Sequence, residues 1–454
     1  MEKSTTVGVE KIAALFDAGT FVETGAYMKR AGTDLAGVVC GYGAIGGKLV
    51  YAFAQDSDRK KGAFDALQAE KIAMLYGMAM KNGAPLVGMF DSAGAVLADG
   101  ASVMSAYGKL LRCVSDASGV IPQIALISGV CAGMSATVAA MFDLVVTVKD
   151  KSELFVNAPF VVGKEVGTAE AVSQNGLASV SAESEADAYA KIARLVSLLP
   201  SNNEEGVVSE EITDDINRAV SVDGLTGASL VGVLADASDF IEIGADYAKE
   251  TVVGFASFGG VLCGVIASNA SECGGAITCD GAKKAAKMVS LCDSFSIPVL
   301  TLVDSVGVEV SAQAEGAPLA SQLGKLAMAY ATASTAKITA VIGKAYGAAF
   351  TLLGSKALGA DMVFALPASE ISVMAPASAV AFLWNDQITE GTTRADVEAK
   401  WVSENASAEA AAADGSIDDV IDPAELRQRI CAAVYMLMMK NVGEPHRKHC
   451  NLPL

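Results

Sequence analysis

Residues 126–141 read LISGVCAGMSATVAAM, a stretch without charge in which almost every side chain is small or apolar. Continued through FDLVVTV it reaches the length of a bilayer span, about 20 residues. Asp143 interrupts the run, however, and the Gly, Ser and Ala content lowers its hydropathy. A buried strand that enters a tight turn and leaves as a helix fits the pattern better than a membrane segment.

The stretch has a counterpart. ALISGVCAGM, from Ala125, aligns with TAVIGKAYGA, from Thr339, so that Gly133 falls on Gly347 at a shift of 214. Upstream, VCGYGAIGGKLV aligns with VVGFASFGGVLC and GAPLVGMFDSAGA with SIPVLTLVDSVGV, placing Gly46 on Gly259 and Asp91 on Asp304, both at 213. Three blocks in one order at a nearly constant offset mean a duplicated domain, with copies over residues 1–222 and 223–454. Such a shift is far beyond the roughly 20–50 residues of solenoid repeats.

Each copy opens with short strands punctuated by glycine, followed by a helical stretch such as FDALQAEKIAMLYGMAMKNG, where Leu67, Ile72, Leu75 and Met78 recur near helical spacing. A buried strand (LVGMF; VLTLV), a second helix and a further strand (IALISG; ITAVIG) come next. This alternation predicts an α/β fold with crossover connections. GYGAIG, at 41–46, formally matches G-x-G-x-x-G but runs into the strand-like GKLVYAFAQ, so it is read as a hairpin and not as a dinucleotide site. SLLPSNNEEGVVSEEITDD has the composition of a solvated linker, and the stretch from Glu404 that of an exposed helix leading to a surface turn.

Composition narrows the chemistry. With 454 residues, 52% of them hydrophobic, the chain can bury a large core. Its 33 Lys and Arg against 52 Asp and Glu give a net charge of -19, which disfavours nucleic acid and anionic membranes as partners but not a local basic pocket for a phosphorylated ligand. Charges in MEKSTTVGVEKIAALF argue against a signal peptide, so a cytoplasmic protein is expected. The nine cysteines form no C-x-x-C pair, which suits free, largely buried thiols; neither disulfides nor a metal are expected. The only histidines, His446 and His449, lie in the tail HRKHC beside Cys450, too near a terminus for an ordered metal site. The body of the chain therefore has no histidine to serve a hydrolytic triad.

What remains are small-residue turns at the ends of buried strands: DSAGA and VCAGMSA in the first copy, DSVGV and AYGAAFT in the second. Small residues let a ligand reach the backbone, and amides at a helix N-terminus point outward with partial positive charge. Two such turns side by side suit an oxyanion hole of main-chain donors in each copy; close helix–sheet packing through small residues explains them as well.

At these turns, and in AALFDAGTFVETGAY, GVVCGYGAIGGKLVYAFAQD, LFVNAP with GTAEAVSQNG, CDGAKKAAKMVSLCDSFSIPVLTLVD, AKITAVIGKAYGAAF and ASEISVMAP, the chain resembles the biotin-dependent acyl-CoA carboxyltransferases. These are the β-type subunits of propionyl-CoA carboxylase and the decarboxylase α subunits of sodium pumps. The resemblance implies two tandem crotonase-like (ClpP/crotonase) domains. The first would take the acyl-CoA and the second biotin, in a homo-oligomer (hexamer or dimer) with active sites between subunits. Carboxybiotin in such enzymes gives up CO2 and its ureido enolate takes the α-proton of the thioester, so no protein base is needed.

Carried over by position, Gly133 and Met134 would supply amides for the acyl enolate, and Ala348 and Ala349 for biotin. Ala93, Gly94, Ala95 and Ala132 in the first copy, with Gly307, Tyr346, Gly347, Phe350 and Thr351 in the second, would contact the substrates. Thr351 sits where many propionyl-CoA enzymes have Asp, and Met134 where a second glycine is usual. Val96 replaces an Arg, and SVGVEVS follows Asp304 in place of a Pro-Gly-Phe turn. No biotin-attachment sequence is present, since YGMAMKNG lies in a predicted helix, so biotin would come on a separate carrier protein. A biotin carboxylase or a membrane decarboxylase subunit would be the further partner. The alternatives are the same chemistry run as decarboxylation for a sodium pump, a biotin-independent crotonase-type hydratase or hydrolase, and a non-catalytic assembly subunit.

Overall fold

The structure, a computed structural model, describes residues 6–29, 34–209, 211–212, 214–442, 451 and 453. His446, His449 and Cys450 lie outside the described residues. Two compact units, Met1–Gly206 and Val207–Leu454, make up the chain.

In the first unit the hairpin glycines come first. β2 (Val38–Ile45) and β3 (Lys48–Gln55) pair antiparallel around Gly46 and Gly47, at φ 56° and 80°, whose amides both donate to the Asp17 carboxylate at 3.1 and 3.0 Å. β1 (Val22–Thr24) edges the sheet, and β4 (Leu86–Ser92), β5 (Gln123–Ala132), β6 (Leu144–Val148) and β8 (Val180–Ala182) extend it in parallel; β7 (Glu153–Phe155) pairs with the far end of β5. Parallel neighbours need crossovers, and the helices Ala66–Asn82 and Ala101–Ala117 supply two of them. Asp65 caps the first by accepting Gln68 N–H at 2.9 Å, and Gly83 ends it at φ 57°. Ile72, Leu75, Tyr76, Val103, Leu110 and Val114 are buried from the helices, and the apolar runs of β4 and β5 are buried from the sheet.

The second unit repeats this plan. β9 (Phe240–Ile243), β10 (Thr251–Phe258) and β11 (Val261–Ser268) form the antiparallel edge. β12 (Val299–Ser305), β13 (Lys337–Tyr346), β14 (Met362–Ala365) and β16 (Asp419–Val420) follow in parallel, with β15 (Glu370–Ser372) on the end of β13. Asp236 takes the place of Asp17, accepting Gly259 and Gly260 N–H at 3.0 and 2.7 Å.

The stretch expected to be a solvated linker, residues 197–215, is instead docked: its start belongs to the first unit, where Asn203 N–H donates to Val120 O at 3.0 Å, and the part from Val207 packs on the second. Leu262 N–H donates to Val208 O at 3.1 Å, and fully buried Arg427 holds Asp215 O at 3.3 Å, Asp214 at 3.4 Å and Asp236 at 2.5 Å. A buried guanidinium needs those acceptors, and this moves the division between units to Gly206. The stretch from Glu404 is likewise less exposed than expected, with a π-turn at Val402–Ala406, a helix only over Ala408–Ala413, and Ala406 and Ala408 fully buried. No described helix is long and apolar enough to cross a membrane.

Candidate active site

The end of β5 is built by a slip in register. β4 and β5 pair Phe90 with Ile127 but Ser92 with Cys131, so extra β5 residues bow out beneath Asp91. Gly129 has to be glycine there, because any side chain would start 2.3 Å from Asp91 Oδ1. The strand then reaches Gly133, at φ 64° and ψ -129°, a conformation open essentially to glycine alone, and the helix Met134–Ala140 begins. LISGVCAGMSATVAAM is thus strand, turn and helix.

One expectation is corrected here. The Gly133 amide is not available, because it donates to Phe155 O at 2.8 Å and so ties the turn to β7. The amides with no acceptor among the described residues are the next two, Met134 and Ser135, at the start of the helix. Met134 is 36% exposed, whereas Ser135 is buried and its hydroxyl bonds Tyr107 Oη at 2.9 Å.

Beside this turn runs the loop after β4. Ala93 N–H donates to Lys61 O at 3.1 Å and Gly94 N–H to Ser92 Oγ at 3.2 Å, while Phe64 N–H takes Gly94 O at 2.8 Å. Between Ala93 and Val96, Ala95 N–H has no acceptor among the described residues. Gly94, at φ 105°, lies against Ala132, whose carbonyl a side chain at 94 would meet at 3.9 Å. The two turns are therefore neighbours. Asp91, just before the loop, is held by the Lys11 ammonium at 2.7 Å, which also touches Ser128 Oγ at 3.2 Å.

The second unit reproduces the backbone. β12 and β13 slip between Val303 and Ser305. Gly347 has φ 55° and ψ -130°, donates to Ser372 O at 2.8 Å, and starts the helix Ala348–Leu352, where the Ala348 and Ala349 amides have no acceptor among the described residues. Gly307 N–H bonds Ser305 Oγ at 3.3 Å, and Val308 N–H is left over as Ala95 N–H is in the first unit. Tyr346 Oη donates to Glu370, and burial, helped by that carboxylate and by Asp304, pushes the phenol well above its ordinary range. Phe350 is half-buried and Thr351 exposed on the short helix.

Burial, with Asp91 adding to it, also pushes the Cys131 thiol far up, which removes it as a nucleophile. Among the described residues no group of three or more His, Cys, Asp or Glu is placed to hold a metal ion. What each turn offers is a pair of aimed main-chain donors, the means of stabilising an oxyanion without a charged side chain. Sequence reasoning missed Ser135, Val308, Lys11 and the anchoring serines Ser92 and Ser305. The repeated Asp-Ser pair at a constant offset was the signal available for the last two.

Comparison with known proteins agrees with the resemblance seen at the turns. Residues 1–452 match the carboxyl transferase domain. A putative propionyl-CoA carboxylase beta chain of Bacillus subtilis (strain 168) is 36% identical, the alignment covering 100% of this chain and 94% of the relative. The methylmalonyl-CoA decarboxylase subunit alpha of Propionigenium modestum is 35% identical over 98% of this chain and 92% of its own. A crystal structure of transcarboxylase 12S, a hexamer assembly with methylmalonyl-coenzyme A and methylmalonic acid bound, superposes with a TM-score of 0.93 at 32% identity, covering 98% of this chain and 92% of that one. The two-domain crotonase-like fold expected from the sequence is thereby borne out.

Proposed function

We propose that this chain, which belongs to the carboxyl transferase family, moves a carboxyl group between biotin on a separate carrier protein and an acyl-CoA, with the first unit, residues 1–206, serving the thioester and the second serving biotin. The observation that carries this is the duplicated turn: two units, each with unengaged amides at a glycine-started helix and one more in the adjoining loop. Such donors fit an oxygen that gains negative charge, and each well-placed one is worth about 10²–10³ in rate.

In the first unit Met134 N–H, with Ala95 N–H beside it, would hold the thioester oxygen as the α-carbon loses its proton. Gly133 would set their direction through its bond to Phe155. The Met134 side chain, exposed at the mouth of the turn, would bound the space for the acyl group. In the second unit the Ala348 and Ala349 amides would receive the ureido oxygen of biotin, and the missing acceptors there fit such a group. When bound, biotin supplies the carboxyl carrier and the base for the α-proton. Tyr346, locked to Glu370 and hard to ionise, would wall the turn as a neutral group.

Carboxylation and decarboxylation use the same two turns, and relatives named for each lie at 36% and 35% identity. The deciding assay is a panel of acyl-CoAs and dicarboxylic acyl-CoAs with a biotinylated carrier or free biotin, following labelled carboxyl transfer. Transfer that requires a biotin source is expected. Turnover of the thioester without one would reject this reading in favour of a hydratase or hydrolase.

A further inference from the structure

A groove of 690 Å³ runs along the second unit between the helix Cys279–Ser294 and the segment that carries the helices Ala312–Gly316 and Leu319–Thr332. It adjoins the turn after β12: Ile277 N–H donates to Gly307 O at 2.9 Å and Ile277 O accepts Glu309 N–H at 3.0 Å, while Thr278 and Glu309 line the groove. A ligand seated at that turn has the groove as its continuation.

The lining carries unspent positive charge. Lys283 and Lys325 line the groove, and neither ammonium has a carboxylate partner within 4.0 Å among the described residues. Both bear on one point, the Cys279 thiol, which burial, Asp280 and Glu309 push up while Lys283 and then Lys325 pull it down. Lys287 also lines the wall and has an interaction of its own. The two carboxylates of the lining keep their charge and are each held by a hydroxyl, Glu309 by Ser311 at 2.9 Å and Asp280 by Tyr247. With three lysines to two carboxylates on its lining, the groove is less acidic than the chain of net charge -19 as a whole, and a cleft focuses the field of its lysines on an incoming anion.

The fold does not require the two lysines that the helix Cys279–Ser294 adds to the groove. At the 213-residue offset, buried Lys284 corresponds to buried Lys71, each bonding a backbone carbonyl, so the two helices are in register. On that register Lys283 corresponds to Glu70 and Lys287 to Met74. One copy has reversed the charge on this face while keeping the helix. The helix N-terminus is not the ligand here, because Thr278 Oγ1 already accepts Gly281 N–H at 2.9 Å.

We infer that the groove beside the second unit's turn binds an oxyanion, a carboxylate or a phosphate, between Lys283 and Lys325. Ammonium groups act as point charges and do not choose between those two geometries. The site stands on its own geometry, and only the assignment of the anion to a substrate of the second turn rests on the carboxyl-transfer reading.

Cys279 provides the reporter. The full-length protein is treated with a maleimide in the presence of malonate or of inorganic phosphate, and peptide mass spectrometry follows Cys279, with exposed Cys273 as the internal control. Slower labelling of Cys279 alone is expected, with malonate if the site takes carboxylate and with phosphate if it takes phosphate. Removing either ammonium, as Lys283→Met or Lys325→Met, should weaken protection about tenfold. Lys283→Glu, which installs the charge the first unit carries on this face, should abolish it, and Lys283→Arg should retain it. Protection by neither anion, or equal protection in Lys283→Glu, overturns the site. Carboxyl transfer by wild-type protein without anion protection would sink this inference alone; protection without transfer would sink the carboxyl-transfer reading alone.

Discussion

The two units share a backbone and differ in what surrounds it. Gly133 and Gly347 have the same dihedral angles within 10° and make the same 2.8 Å bond to the short strand that follows. Leu97 and Val310, equivalent tips of the loops beside them, are 90% and 98% exposed. Around this frame the side chains part: Asp91 is paired with Lys11, whereas Asp304 accepts the Lys344 amide at 2.8 Å. Met134 stands opposite Ala348, and Glu70 opposite Lys283. The main-chain donors recur in both units, and the side chains around them do not.

The largest effect should come from removing one donor in each copy. Proline is tolerated in the first position of a helix and has no N–H, so Met134→Pro and Ala348→Pro each test a turn with little disturbance to the helix. Carboxyl transfer is expected to fall by about 10²–10³ in either variant. Met134→Pro should in addition suppress isotope exchange at the α-carbon of the thioester. A folded variant of either kind that transfers at the wild-type rate would remove that turn from the mechanism.

The duplication could be read in the sequence because the turns are fixed by backbone demands. Gly46, Gly129, Gly133 and their partners sit where a side chain strains or collides, and Asp91-Ser92 recurs because it anchors the loop, so these letters hold their spacing. The use of the Gly133 amide was not legible, since its acceptor, Phe155 O, belongs to a short strand whose pairing with β5 no local pattern announces. The docking of the linker depended on Arg427, which lies far along the chain and is neutralised only once folding brings it to Asp214 and Asp236. Local chemistry was legible; long-range ion pairs were not.

A smaller effect separates the two glycines themselves. Alanine at either position has to adopt a conformation that costs about 1–3 kcal/mol. At Gly347 the added Cβ would also lie 3.1 Å from Val373 O, whereas at Gly133 nothing lies within 4 Å. Gly347→Ala should therefore lower the denaturation midpoint of its unit more than Gly133→Ala does in the other, followed by hydrogen exchange in β13 and β5. Equal losses would mean that the segment after β15 yields, and that the second turn is the softer of the two.

The smallest effect concerns Lys284, the counterpart of Lys71, and shows only with pH. Lys71 has Glu23 at 3.6 Å, whereas Lys284 donates to Tyr247 O at 2.7 Å and burial, although opposed by Glu242, Glu250 and Asp246, lowers its pKa to about 8. An unfolded lysine titrates near 10.4. Between those values the unfolded chain holds more of this proton than the folded one, so the lysine's contribution to stability rises with pH across the window. Below about 8 both states are protonated and the cost of burying the charge is fully present. Subtracting Lys284→Met from wild type cancels the other groups that titrate in the same range. The difference in urea-unfolding free energy should then move in favour of wild type from pH 8 to pH 9.5. A flat difference for Lys284 would mean that water reaches its ammonium and that the second unit is more open at this helix than its packing indicates.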